Sequence, residues 1–143
     1  MPKVTTIEEI MTRGVSTVTL EDPISRADEI MRREHTGFVP VIDDGKFIGL
    51  ITERSLREYA LRQIYEFNDD FKDVGQNTIN DFQHIMAKNV RLIYPEDSVR
   101  KAIELMAKYS TDCLPVVDWK NNLIGLVTTF DVMMFLYKTL EEM

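Results

Sequence analysis

The sequence predicts an α/β fold built from two copies of one βαββα unit. Residue types recur at a constant spacing, and strand and helix patterns alternate in the same order within each copy. With 44% hydrophobic residues among 143, the chain can bury a sizeable core. A unit of about 50 residues is too small to cover both faces of its own sheet. We therefore expect the copies to pack sheet to sheet with pseudo-twofold symmetry.

The repeat becomes visible when Met11 is aligned with Met86, an offset of 75 residues. After Asp43 and its counterpart Asp118 the second copy gains one residue, and the offset becomes 76. Unlike residue types keep their spacing along both copies, which indicates a duplication. The matched positions include Ile10 with Ile85, Ala27 with Ala102, Met31 with Met106, Pro40-Val41 with Pro115-Val116, and Ile48-Gly49-Leu50 with Ile124-Gly125-Leu126.

The residue pattern of each copy predicts a strand, a helix, two hairpin strands and a closing helix, in this order. Asp22 is a good N-cap for the first helix, with Pro23 at a position where its missing N–H does no harm. The acidic-glycine tetrapeptide Asp43–Lys46 is a strong hairpin signal. The predicted strands are Ser16–Thr19, Phe38–Ile42 and Phe47–Thr52 in the first copy, and Arg91–Tyr94, Cys113–Val117 and Leu123–Thr128 in the second.

We place the first repeat at residues 5–66, a connector at 67–80 and the second repeat at 81–140. The stretch from Asn68 to Asn80 is polar, contains Gly75 and predicts a loop longer than the usual connection of about 4–6 residues. This loop could serve as a crossing between the repeats, as a lid or as a solvated connector, and the sequence does not decide between these roles.

Composition excludes several classes of protein. The net charge is −7, from 24 acidic and 17 basic residues, which argues against nucleic-acid binding. Cys113 is the only cysteine, so no internal disulfide can form. No stretch approaches the roughly 20 apolar residues that span a bilayer, and no signal-type segment is present. We expect a cytoplasmic protein that does not bind membranes.

The ordered motifs resemble the CBS-domain family, named for cystathionine β-synthase, whose tandem pair is called a Bateman module. The segments that show it are Ile10-Met11, Val39-Pro40-Val41-Ile42-Asp43 and Ile48-Gly49-Leu50-Ile51-Thr52, and in the second copy Ile85-Met86, Leu114-Pro115-Val116-Val117-Asp118 and Ile124 to Asp131. The resemblance implies two clefts between the repeats that hold adenine nucleotides or other adenosyl ligands. It also implies that pairs associate further, here as a homodimer.

The best candidate for ligand binding is the stretch from Thr128 to Asp131, where a helix opens directly after a strand. Its free N–H groups and dipole attract phosphate, Thr128 offers a hydroxyl, and the two oxygens of Asp131 suit a ribose diol. By spacing alone, Thr128 and Asp131 are better explained as a helix cap. The family resemblance favours the ligand role.

The first copy departs from this pattern, because Thr52 is followed by Ser55 where Asp131 stands in the second. Serine cannot hold a diol with two acceptors, so we expect unequal clefts, the one with Asp131 being the better nucleoside site. Arg54 is a candidate for phosphate binding, with pairing to a surface carboxylate as the alternative.

Two further features bear on the ligand. Gly37 and Asp112 stand where some nucleotide-binding relatives have a basic residue, so a triphosphate would need a cation such as Mg²⁺. The resemblance implies that the purine is flanked by residues near each first strand and hairpin proline, although their composition is also that of a core. These residues are Val18, Phe38, Val39 and Pro40 in the first copy, and Ile93, Cys113, Leu114 and Pro115 in the second.

Catalysis has little support in the sequence. His35 ends a helix, His84 lies in a polar lead-in and Cys113 is expected to be a buried, inert thiol. Their spacing fits no metal site, and no phosphate loop or nucleophile elbow is present. We predict a regulatory module that binds an adenosyl ligand such as AMP, ATP, NAD or S-adenosylmethionine and acts on an unidentified effector protein. The alternative is a structural dimerisation module with vestigial clefts; a hydrolase would need a nucleophile–base pair that the sequence does not show.

Overall fold

The structure is a computed structural model that describes residues 5–69 and 81–143. The helices of these residues are α1 (Ile7–Ile10), α2 (Ile24–Glu34), α3 (Glu53–Asp69), α4 (Asp81–Ile85), α5 (Val99–Tyr109) and α6 (Thr129–Glu141). The strands are β1 (Thr12–Arg13), β2 (Phe38–Asp43), β3 (Lys46–Thr52), β4 (Cys113–Val117) and β5 (Leu123–Thr128). The hairpin strands agree with the predicted ones to within one residue at each end.

Contacts divide the chain into two compact units that differ from the two repeats. One unit, here called the split unit, consists of the residues up to Val15 together with Val90–Met143. The other, the continuous unit, consists of the described residues of Ser16–Asn89. Each unit therefore contains the body of one repeat and the lead-in segment of the other: α1 and β1 belong with the second repeat, and α4 belongs with the first.

The split unit contains an antiparallel sheet in the order β1-β5-β4. Thr12 pairs with Leu126 and Arg13 with Gly125. The continuous unit contains the antiparallel pair β2-β3, to which Ala87 of the other repeat's lead-in adds a bridge with Leu50.

The predicted first strand of each repeat is reduced to a single parallel bridge. Val18 bridges to Val41, and Ile93 bridges to Val116. The amide of Val18 donates to the carbonyl of Pro40 at 3.0 Å, and the amide of Ile93 donates to that of Pro115 at 3.0 Å. Because proline has no N–H to contribute, the ladder beside it stays short.

The hairpin turns agree with the sequence signals. In the first, Asp44 and Gly45 have φ angles of 51° and 80°, the two positive values that a tight type I′ turn requires. In the second, the extra residue widens the turn, and the Asp118 carboxylate accepts hydrogen bonds from the amides of Lys120 and Asn122 at 2.8 and 2.9 Å.

Two local predictions need correction. Asp22 does not cap α2, whose N-cap is Pro23; its carboxylate instead accepts from the amide of Thr19 at 2.8 Å and closes the preceding turn. A short side chain cannot serve both the preceding turn and the following helix.

In addition, α3 continues to Asp69, two residues into the stretch predicted to be a loop. The rest of that stretch, residues 70–80, lies outside the described residues.

Each unit has its own hydrophobic core. The continuous unit buries Val18, Ala27, Ile30, Met31, Val39, Val41, Ile51, Phe82 and Ile85. The split unit buries Ile7, Met11, Ile93, Ala102, Leu114, Val116, Val127 and Val132. The lead-in residues Ile7 and Phe82 are almost fully buried, so both lead-ins are integral parts of the cores that they join. Across the described ranges, no helix has the length and apolar character required to cross a membrane.

Candidate ligand-binding site

The start of α6 forms a closed set of hydrogen bonds between Thr128 and Asp131. The amide of Thr128 donates to Oδ2 of Asp131 at 2.9 Å, and the amide of Asp131 donates to the Thr128 hydroxyl oxygen at 3.3 Å. This is a reciprocal cap, which fixes the Asp131 carboxylate at the end of β5. The structure therefore shows the capping role that the sequence suggested. A ligand could use only those atoms of Thr128 and Asp131 that the cap does not occupy.

Thr12 completes this site from the lead-in of the first repeat. Its hydroxyl lies 3.0 Å from Oδ1 and 3.3 Å from Oδ2 of Asp131. Among the hydrogen bonds of the described residues, Thr12 is the partner of Oδ1, whereas Oδ2 also holds the cap. Because each carboxylate oxygen offers about two acceptor positions, Oδ1 keeps capacity for a further donor such as a sugar hydroxyl.

Gly125 makes the approach of Thr12 possible. A Cβ atom at position 125 would lie 2.5 Å from the backbone oxygen of Thr12. Without a side chain there, β1 can pair with β5 and bring the Thr12 hydroxyl beside Asp131.

Asp131 lines a groove within the split unit that has a volume of about 560 Å³. This lies in the range of about 300–1,000 Å³ typical of small-molecule sites. Its lining includes three carboxylates and a single positively charged group, the ammonium of Lys138. The polar lining residues are Thr5, Glu9, Asp131, Lys138, Thr139 and Glu142, and the apolar ones are Ile10, Phe130, Met134 and Phe135.

The equivalent position in the continuous unit is chemically different. Ser55 replaces Asp131, and its hydroxyl donates to the carbonyl of Thr52 at 2.9 Å while its oxygen lies 3.0 Å from the Thr52 amide. Ser55 thus spends its hydroxyl on capping α3. The lead-in residue equivalent to Thr12 is Ala87, which has no polar side chain. The first repeat therefore lacks both the carboxylate and the hydroxyl that meet where Asp131 contacts Thr12.

Arg54, the candidate for phosphate binding, extends from α3 toward solvent. Its Nε lies 3.2 Å from Oε1 of Glu58, one turn along the helix, and its side chain is 86% exposed. The pairing with a surface carboxylate is therefore what the structure shows. A phosphate role for Arg54 stays a prediction.

The residues proposed to flank a purine lie mostly in the cores. Phe38 is half-buried, while the others are buried. Val39, Ile93 and Leu114 have no exposed surface at all, so a purine could reach them only if the packing opened. The buried members are Val18, Val39 and Pro40 in the continuous unit and Ile93, Cys113, Leu114 and Pro115 in the split unit. This burial agrees with the core interpretation and leaves the ring-flanking role a prediction.

Burial raises the pKa of the Cys113 thiol, and the negative charges of Asp131 and Asp112 raise it further. A thiol held neutral in this way is a poor nucleophile. His35 adopts a left-handed conformation with φ 53° at the end of α2, and His84 is exposed at the end of α4. Within residues 5–69 and 81–143, no three His, Cys, Asp or Glu side chains cluster in a way that could hold a metal ion.

Sequence reasoning missed Thr12. The repeat alignment contains the signal, because Thr12 aligns with Ala87 and Asp131 with Ser55, so the two positions change together. Recognising it requires knowing that the lead-in of one repeat pairs with the body of the other, which only the structure supplies.

Residues 7–62 and 81–138 each match the family model of the CBS domain, which covers well over half of the chain. The chain therefore belongs to the CBS-domain family. It is 30% identical over 126 residues to the CBS domain-containing protein YhcV of Bacillus subtilis, and the match covers 88% of this chain and 81% of that protein. It is 34% identical over 125 residues to an inosine-5′-monophosphate dehydrogenase of Korarchaeum cryptofilum, covering 87% of this chain but 23% of the enzyme.

The enzymes that the chain matches are much longer than it is. A homoserine O-acetyltransferase of Methanosarcina acetivorans is 26% identical over 124 residues, which are 86% of this chain and 20% of the enzyme. The chain thus spans about a fifth of the length of both enzymes.

Solved structures confirm the fold. The CBS domain pair of protein MJ0100, in complex with 5′-methylthioadenosine and S-adenosyl-L-methionine, superimposes with a TM-score of 0.76 at 24% identity, covering 96% of this chain and 99% of that one. CBSX2 in complex with AMP gives a TM-score of 0.76 at 21% identity, covering 94% and 98%. The predicted α/β fold of two βαββα repeats is therefore correct.

Proposed function

We propose that this protein is a regulatory module that binds an adenosyl ligand in the split unit, with the ribose hydroxyls at Asp131. The observation that supports it most is the pairing of Asp131 with the Thr12 hydroxyl beside a groove of about 560 Å³. The Thr12 hydroxyl donates its proton to Asp131, so Oδ1 of Asp131 and the Thr12 oxygen can each accept from one hydroxyl of a ribose.

The charges of the groove favour a neutral or cationic adenosyl compound over a polyphosphate. Glu9, Asp131 and Glu142 line it together with a single ammonium group, that of Lys138. Negative phosphates would meet net repulsion there, reduced by a bound cation. We expect 5′-methylthioadenosine or S-adenosylmethionine to bind more tightly than AMP, and ATP to depend on Mg²⁺.

The solved relatives support the ligand class. Their ligands are 5′-methylthioadenosine, S-adenosyl-L-methionine and AMP, which share adenine and ribose and differ at the 5′ position. A site that recognises the shared ribose and leaves the 5′ substituent to the surrounding charges would suit all three. Binding would act by population shift, since a ligand that contacts both Thr12 and Asp131 favours the state in which these two residues are together.

A structural module without a ligand is the second candidate. The Ser55 hydroxyl is consumed by its cap, and the residues expected to flank a purine are buried. These observations favour vestigial sites. They apply most strongly to the first repeat, whereas Thr12 and Asp131 retain polar atoms in the split unit.

Isothermal titration with 5′-methylthioadenosine, S-adenosylmethionine, AMP, NAD and ATP, the last with and without Mg²⁺, tests the proposal. We expect Asp131→Ala to weaken the tightest ligand by about 1.5–3 kcal/mol, the scale of hydrogen bonds to a charged group, or about 10–150-fold in Kd. Thr12→Val keeps the shape of Thr12 and should weaken binding less.

Ser55→Ala is the matched control, because it changes the equivalent position of the other repeat and should leave the affinity unchanged. Unchanged affinity in Asp131→Ala would refute the ribose assignment. Binding of none of the compounds at millimolar concentration would favour the structural module instead.

A further inference from the structure

Two positively charged side chains contact one tyrosine ring on the surface of the split unit. The guanidinium carbon of Arg91 lies 3.8 Å from the centre of the Tyr109 ring, and Nζ of Lys108 lies 5.3 Å from it. All three residues are exposed. Lys108 and Tyr109 end α5, whereas Arg91 lies on the segment that leads to the bridge at Ile93. We call Arg91, Lys108 and Tyr109 the cation cluster.

The first repeat binds a carboxylate at the equivalent positions. At the offset of 75 residues, the counterparts of the cation cluster are, in the same order, Ser16, Arg33 and Glu34. The Ser16 hydroxyl donates to Oε2 of Glu34, and Nη2 of Arg33 lies 3.3 Å from the same oxygen. The hydrogen bond from Ser16 is the main influence that lowers the pKa of the Glu34 carboxyl, and Arg33 lowers it further. The groups beside residue 34 therefore stabilise a negative charge.

The second repeat lacks this internal carboxylate and has more positive charge around its position. Tyr109 replaces the carboxylate, and Arg91 replaces a hydroxyl by a guanidinium. Within the parts of the chain that the structure describes, neither Arg91 nor Lys108 forms an ion pair. Oε1 of Glu104, one turn before Lys108, lies instead 3.2 Å from Nε of Arg100. The cation cluster thus carries two positive charges that no carboxylate of the described residues neutralises, on a chain whose net charge is −7.

The end of α5 explains only one of the two cations. Lys108 lies in the last turn of the helix, where a positive charge interacts favourably with the helix dipole. Arg91 lies outside the helix and gains from the Tyr109 ring instead. A contact with the face of a ring needs no hydrogen-bond acceptor, so the N–H groups of Arg91 that point away from the ring stay available. The ring therefore orients the guanidinium without using its donors.

We propose that Arg91 and Lys108 bind the phosphate group of a small molecule, with Tyr109 holding the guanidinium in position. In the first repeat, one cation and one hydroxyl hold a carboxylate with a single charge. Two cations suit a group that carries about −1.5 to −2 charges at pH 7, which is the charge of a phosphate monoester. Arginine binds two phosphate oxygens at once, and lysine adds a point charge. The cation cluster shares no residue with the site at Asp131, so the two sites can be tested separately.

Nuclear magnetic resonance of the full chain, titrated with inorganic phosphate at neutral pH and low ionic strength, tests the site. We expect the side-chain N–H signals of Arg91 to shift and to saturate at millimolar phosphate. Arg91→Gln should raise the dissociation constant of phosphate at least about 10-fold, the effect of losing hydrogen bonds to a charged group. Lys108→Gln should raise it less, because lysine contributes a point charge. Circular dichroism verifies that these exposed substitutions leave the fold intact.

Substitutions of Tyr109 test the comparison between the repeats. Tyr109→Glu introduces the residue that the first repeat has at this position, and its carboxylate should compete with phosphate for Arg91 and Lys108. We expect it to raise the dissociation constant at least about 10-fold while both cations remain. Tyr109→Phe keeps the ring face and should keep the affinity. Affinity that is unchanged in Tyr109→Glu would overturn the proposal, because phosphate would then bind elsewhere.

Arg33→Gln is the matched control, because it removes the same charge as Arg91→Gln at the first-repeat position equivalent to Lys108. Its affinity for phosphate should equal that of the wild-type chain. Equal losses in Arg33→Gln and Arg91→Gln would show an effect of net charge alone and would overturn the site, as would the absence of saturable shifts in the wild-type chain.

Two further titrations distinguish the ligand and the location. Sodium acetate should bind more weakly than phosphate, and tighter binding of acetate would overturn the assignment to a phosphate group. Asp131→Ala should bind inorganic phosphate as the wild-type chain does, whether or not the adenosyl site exists. Loss of phosphate binding in Asp131→Ala, with binding retained in Arg91→Gln, would place the phosphate at Asp131 and overturn the proposal.

Discussion

Single residues distinguish two repeats that otherwise share one fold. Asp131 and Ser55 both cap the helix that follows a hairpin, and both do so through oxygen atoms of the side chain. The carboxylate has a second oxygen, which meets Thr12, whereas the serine hydroxyl is fully used by Thr52. The second side-chain oxygen therefore gives the second repeat an acceptor that the first repeat lacks.

Cys113 lies close enough to Asp131 for this carboxylate to affect the pKa of its thiol. Burial is the main cause of its raised pKa, and Asp131 and Asp112 add negative charge nearby. The unfolded thiol titrates near its usual pKa of about 8.5. The folded state therefore binds its proton more tightly than the unfolded state does.

We expect the stabilisation due to this proton to be complete below pH 8.5 or so and to be lost as the pH rises further, by up to about 1.4 kcal/mol per pH unit. Cys113→Ala removes the group. Urea denaturation of both proteins between neutral and alkaline pH measures the difference in their free energies of unfolding. If that difference does not change with pH, the thiol is not shielded as the structure indicates.

At the scale of elements, two glycines allow the lead-ins to dock. A Cβ at Gly125 would lie 2.5 Å from the backbone oxygen of Thr12, and a Cβ at Gly49 would lie 2.5 Å from the sulfur of Met86. The first contact is with a backbone held in a sheet, whereas the second is with a side chain, whose Cγ and Cβ would also lie 2.7 and 3.1 Å from the added atom.

Gly125→Ala should therefore destabilise the protein by about 1–3 kcal/mol, the usual cost of overpacking, and Gly49→Ala by less because Met86 can rotate. Chemical denaturation of the two variants gives the comparison. Since β1 positions Thr12, Gly125→Ala should also weaken ligand binding, which Gly49→Ala should not. Equal destabilisation would mean that the β1–β5 pair yields as easily as a methionine side chain.

The hairpins and main helices could be predicted because their signals are local. Asp44-Gly45 requires a tight turn, and short apolar runs surround Pro40 and Pro115. The first strands were predicted too long, because their reduction to single bridges depends on the prolines that lie beside them in space. Of the candidate site, Thr128 and Asp131 were found from the motif. Thr12 was not, because its contact with Asp131 spans 119 residues.

At the scale of the whole molecule, the units exchange their lead-ins, and the sequence leaves this choice open. Met11 and Met86 are the same residue type, and so are Gly49 and Gly125. Judged from the sequence pattern alone, the lead-in of each repeat could pack against the strands of either repeat. The exchange joins Thr12 of the first repeat to Asp131 of the second, so the candidate site draws residues from both repeats even though it lies within one unit.

Because the exchange also joins Ala87 to the unit of Ser55, both differences fall on the same site, and one copy loses two polar groups at once. We therefore expect one ligand per chain, measured as the stoichiometry of calorimetric titration with the adenosyl compound that binds most tightly. Ser55→Ala should keep this value at one, and Asp131→Ala should remove the high-affinity event without exposing another. Two equivalent events in the wild-type protein would contradict the argument, because they would show that neither the second carboxylate oxygen nor the Thr12 hydroxyl is needed for binding. A single binding event that persists in Asp131→Ala and disappears in Ser55→Ala would place the binding site in the first repeat. The Ser55 hydroxyl would then have to bind the ligand in place of a carboxylate.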